Sequence, residues 1–108
     1  MSHQAHDAVG LEIGRRVALG LSQHPEWIEL AKSNLDRWSR LNRDAPGLLG
    51  CYQEWRQLLD RPLEEISAAP TTQTEQGQRL RQNSPFAGVL SPHQVWEIKR
   101  QVHEATAA

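Results

Sequence analysis

Apolar residues recur along this chain at the spacing of helical turns, and no run alternates in the manner of a half-buried strand. Val9, Ile13, Val17 and Leu21 stand four apart and predict a first helix from about Asp7 to Leu21. Glu12 precedes Arg16 by four residues, the favourable order for an ion pair along a helix. Gly10, Gly14 and Gly20 weaken the segment by about 1 kcal/mol each relative to alanine. From Pro25 to Asn42 the pattern is stronger. Ile28, Ala31, Leu35 and Trp38 form one face, Glu26 and Glu29 lie in the first turn, and Arg40 and Arg43 lie near the end, as the helix dipole favours. A third segment, Leu48 to Arg61, places Leu48, Tyr52, Trp55 and Leu59 on one side.

The prolines punctuate these segments. Pro25, Pro46, Pro62 and Pro92 each stand just before a periodic stretch, where a missing N–H is tolerated. Pro62 opens a short fourth helix to Ala69, burying Leu63 and Ile66 and stopped by Pro70. Thr72 and Glu75 have capping-box spacing, which predicts a fifth helix from Thr72 to about Gln82. Asn83 to Leu90 contains Pro85 and Gly88 and reads as a loop, with Phe86, Val89 and Leu90 against the core. Ser91, Pro92 and Gln94 then start a last helix that runs to about His103. The expected architecture is all-α: a compact bundle of five to six short helices in one domain over residues 1–108, with flexible ends at 1–6 and 105–108.

Composition narrows the function classes. Twelve Lys and Arg face 13 Asp and Glu, so no global basic field is available to hold nucleic-acid phosphates. The 38% hydrophobic content is low for a globular domain, so apolar residues are placed efficiently or a partner completes part of the surface. Cys51 is the only cysteine, which suits a reducing compartment. No run of about 18 apolar residues is present to span a bilayer. The stretch MSHQAHDAVG lacks the basic segment and apolar run of a secretory signal, so cytoplasm is the expected location.

Candidate chemistry is sparse. His3 and His6 have H-x-x-H spacing near the terminus, while His24, His93 and His103 are scattered, without the paired short spacings of a zinc site. Cys51 stands among Leu48, Leu49 and Tyr52 and reads as a small core thiol. Ser84 and Ser91 lack a nucleophile-elbow pattern, and no phosphate-cradling glycine loop occurs. Glu64 and Glu65 are adjacent and diverge on a helix. No cofactor, metal site or enzyme activity is expected.

Four of the six aromatic residues are tryptophans (4 Trp, 1 Tyr, 1 Phe). Trp38 and Trp55 fall on apolar stripes and read as core, whereas Trp27 and Trp96 lie off them and are the candidates for a partner-binding patch. Gln78 to Phe86 is the other candidate stretch. Arg79 and Arg81 diverge by about 200° on a helix, so one packs on the domain while the other faces out. Arg79, Arg81, Gln82 and Phe86 join the two indoles as expected partner-binding residues. An alternative is DNA binding through a helix-turn-helix at residues 62–82, with Gln73, Gln76, Gln78 and Arg79 towards base edges. A structural subunit of a larger complex is a further alternative.

The stretches NLDRWSRLN (34–42), YQEWRQLLDRPLEEI (52–66) and GQRLRQNSPFAGVLSPHQVWEIKR (77–100) resemble a group of small bacterial proteins encoded beside nucleotidyltransferase-like toxin genes. The resemblance spans roughly residues 10 to 102, and its sharpest piece is L-R-Q-x-S-P-F-A-G-V-L, Leu80 to Leu90. Pro70 departs from the aliphatic residue expected at the end of the fourth helix. The resemblance implies an antitoxin-like protein that neutralises a toxin by direct binding, with Arg79 or Arg81 entering an acidic pocket.

Overall fold

A computed structural model describes residues 3–107, with side chains for residues 7–105. The protein is all-α, and among the described residues there is no strand. Six helices follow in order: α1 (His3–Leu21), α2 (Glu26–Leu41), α3 (Pro46–Leu59), α4 (Leu63–Ala68), α5 (Glu75–Gln82) and α6 (Pro92–Ala107), with one 3-10 turn (Ala69–Thr71) between α4 and α5. The backbone is helical beyond both expected limits, from His3 and as far as Ala107, while residues 1, 2 and 108 lie outside the described residues.

Helix α1 is the hub. It packs against α4, α5 and α6, while α2 packs against α3. Its C-terminus turns sharply because the Gly20 carbonyl accepts the amides of Gln23 (3.0 Å) and His24 (2.8 Å). Gly20 also leaves room for Trp27 to fold back: a Cβ there would lie 2.5 Å from the indole ring.

The stripes expected on α2 and α3 meet in one core. Ala31, Leu35, Tyr52, Trp55 and Leu59 are buried together with Val17, Leu21, Ile66, Leu80 and Phe86. Trp55, wholly buried, sits among them and donates its indole N–H to the Leu80 carbonyl at 2.9 Å. Burying an aromatic side chain of this kind removes ~150–250 Å² from water, a gross gain of about 4–6 kcal/mol. Leu48, expected on the same stripe, is instead 38% exposed near the start of α3. Cys51 is half-buried rather than fully enclosed.

Two expected boundaries shift. The N-cap of α5 is Thr74, whose hydroxyl accepts the Gly77 amide at 3.1 Å, and not Thr72. Thr72 closes the preceding 3-10 turn, donating its hydroxyl to Ala69 O at 3.1 Å. Pro70 does not simply stop α4. It is buried within that 3-10 turn, where its missing N–H leaves no donor unpaired. The start of α6 is as expected: Ser91 Oγ accepts the Gln94 amide (3.1 Å) and Gln94 Oε1 accepts the Ser91 amide (2.7 Å), a complete capping box.

Candidate partner-binding surface

The Leu80–Leu90 segment is a tertiary clamp. Leu80 supplies the acceptor for Trp55. Arg81 lies along α1 beside Gly10 and Gly14: a Cβ at either would sit in ordinary contact, 3.9 Å from its Cδ. Its guanidinium donates to Asp7 Oδ1 (Nη2, 2.5 Å; Nε, 3.1 Å) and to the carbonyls of Pro70 (3.0 Å) and Thr72 (2.6 Å). Ser84 Oγ accepts the Phe86 amide at 3.3 Å, and the Phe86 ring meets Trp55 edge-on with centroids 5.8 Å apart. Gly88 has φ +94°, which only glycine adopts without strain.

The partner that holds this loop from α2 is Asn34, a buried polar residue (7% exposed). Its Nδ2 donates to the carbonyls of Pro85 (2.8 Å) and Ala87 (3.3 Å), and its Oδ1 accepts from Arg37 at 2.7 Å. Sequence reasoning passed over Asn34. Its signal was a polar residue between Ala31 and Trp38 on an otherwise apolar stripe.

The six expected partner-binding residues therefore do not converge. The Arg81 side chain is 3% exposed and Phe86 is 5% exposed, so both belong to the interior and neither can meet a docking protein. Gln82 borders a cleft between α1 and α5. Trp27 occupies the α1–α2 corner, half-buried and stacked on His24 at 4.8 Å. Arg79 is on the opposite side of α5 from Arg81, as helical geometry requires, and forms an exposed ion pair with Glu54 at 2.9 Å. Of the residues considered for base readout, Gln73 and Gln76 are exposed, while Arg79 is held by Glu54.

Trp96 is the exception. It is 56% exposed on α6. His93, one turn earlier, stacks on the indole at 6.1 Å, and the Arg100 guanidinium, one turn later, lies 5.7 Å from the ring centroid. Arg100 is itself fixed by Glu97 and Glu104, both at 2.8 Å. Its hydrogen bond holds the Glu97 carboxyl below the usual carboxylate range. An open groove lined by Gly88, Leu90, Pro92, Val95 and Lys99 adjoins the ring. The framing residues follow from i−3 and i+4 spacing about Trp96, a signal present in the sequence.

No protein-family model, curated protein or solved structure matches the chain. Among the described residues, no group of three or more His, Cys, Asp or Glu side chains converges as a metal site would require, and the His3 and His6 side chains lie outside those residues. No described helix is long and apolar enough to cross a membrane.

Proposed function

We propose that this chain is a non-enzymatic partner-binding protein, docking through the outer face of α6, and that it acts as an antitoxin to a cognate bacterial toxin in the cytoplasm. The observation that carries the reading is Trp96, an indole more than half exposed yet held between His93 and Arg100. Exposing so large an apolar ring to water is unfavourable for an isolated chain. Tryptophan and arginine dominate the energetics of protein interfaces, and a ring fixed before binding loses little rotamer entropy on docking. The adjoining groove of Leu90, Pro92 and Val95 supplies apolar surface beside the anchor.

The resemblance at Leu80–Leu90 supplies the antitoxin part of the proposal. Inhibition would be steric, with α6 covering the toxin's substrate groove. Arg79 rather than Arg81 is the cation left to enter an acidic pocket. Its pair with Glu54 is exposed, and exposed pairs of this kind contribute only about 0–1 kcal/mol, so it can exchange partners.

Co-expression with the adjacent gene product tests the proposal. Growth arrest by that product, relieved by this chain and restored by Trp96→Ala at equal expression, is the expected result. A harmless neighbour, or relief unaffected by Trp96→Ala, would refute it.

A further inference from the structure

A cleft of about 190 Å³ opens between α1 and the α4–α5 half of the molecule, and nothing in the proposed docking face uses it. Gly10, Gly14 and Ala18 line one wall, with Ile66 and Pro70 opposite and the Trp55–Phe86 pair at its base. The space is not forced by crowding. A methyl group at Gly14 would make ordinary contacts of 3.5–3.9 Å, and a residue larger than glycine would strengthen the helix. The chain thus leaves open a space that alanine at Gly14 would narrow.

Size and chemistry specify an occupant. A dry apolar cavity of ~150 Å³ is large enough to take up benzene, so this cleft accommodates one aromatic ring with a short substituent. Phe86, fixed edge-on against the wholly buried Trp55, is the aromatic side chain that keeps a little exposed surface at the cleft, and an aromatic ring packs well on such an edge. Ser84 Oγ, at the polar rim, accepts the Phe86 amide and retains a proton to donate. The cation at the rim, Arg81, is already compensated by Asp7 and two carbonyls. Four of its five N–H groups are engaged, so a carboxylate would meet a single remaining donor, beside the charge of Asp7, and would have to be desolvated as well. We propose that the cleft binds a neutral, phenol-sized aromatic molecule.

The test is a titration of the full chain with p-cresol, followed through the Trp55 indole N–H resonance, with benzoate as the anionic counterpart. A saturable p-cresol shift is expected, weakened at least tenfold in Ala18→Leu, with benzoate at least tenfold weaker than p-cresol in the unaltered chain. Should Ala18→Leu fail to fold, Gly14→Ala narrows the same space and must also weaken binding. A shift that never saturates, equal affinity in the cavity-narrowing variant, or benzoate binding as tightly as p-cresol would each overturn the proposal.

Discussion

Replacing Asn34 by alanine should destabilise the protein far more than a single polar side chain on a helix ordinarily would. Three hydrogen bonds are lost, and their costs differ. Arg37 and Ala87 are exposed, so the freed guanidinium and carbonyl return to water at little cost. Pro85 is fully buried, and its carbonyl is left without a donor, at about 1–3 kcal/mol. A small void adds to this, while alanine's better helix propensity returns roughly 0.5 kcal/mol. The net loss is about 2 kcal/mol, a sizeable share of the ~5–15 kcal/mol that holds a domain folded. In urea, with a slope of about 1.5 kcal/mol/M, the midpoint should fall by roughly 1.3 M at unchanged slope. Arg37→Ala removes the outer bond alone and should shift the midpoint by less than a third as much. If Asn34→Ala costs under about 0.5 kcal/mol, or no more than Arg37→Ala, then the 83–90 loop is not held in the way argued here.

Arg81→Met keeps the stem against Gly10 and Gly14 but leaves the carbonyl of buried Pro70 without its donor, while exposed Thr72 and part-exposed Asp7 return to water, so thermal unfolding should show a loss of about 1–3 kcal/mol, and a neutral result would exclude a structural role for the guanidinium. Two glycines should respond in opposite directions in the same assay. Gly14→Ala should stabilise by up to about 1 kcal/mol, because its Cβ meets nothing closer than 3.5 Å. Gly77→Ala should destabilise by about 1–3 kcal/mol, because its Cβ would fall against the backbone carbonyl of Thr72, which cannot swing aside. Acid should weaken the fold modestly. The carboxyls of Glu26, Glu65 and Glu97 are held below the ordinary 4.5, by a backbone hydrogen bond and His24, by Arg61 and by Arg100 respectively. Their contribution is present above that value and lost as pH falls through the lowered values, so urea midpoints should decline below about pH 4.5, less steeply at high salt. A midpoint that rises on acidification would contradict those pairings.

Helix order was legible because burial here follows helical period. Ala31 and Leu35, and Tyr52, Trp55 and Leu59, are buried on the faces their spacing assigns. The capping box at Ser91 was legible for the same local reason, since both partners lie within three residues. Thr72 misled because its spacing to Glu75 competes with that of Thr74 to Gly77. The Thr72 hydroxyl is taken by the Ala69 carbonyl in the 3-10 turn, which leaves Thr74 to cap the helix. The candidate site divided likewise. Trp96 was readable as an indole off its stripe. Phe86 lies against the core, as its loop position suggested, and not in a docking patch; like Arg81 it is held inside by a partner far along the chain, Trp55 and Asp7 being 31 and 74 positions away. No local pattern reports a contact of that range.

In the Leu80–Leu90 stretch the Leu80 carbonyl, the Arg81 guanidinium and the Phe86 ring face inward, to an indole, a carboxylate and the core, while Gly88 makes a left-handed bend at the surface. Substitutions across it should therefore register first as lost stability, whereas changes on the outward side of the final helix should weaken docking with the scaffold intact, so the two readouts separate a folding defect from a recognition defect.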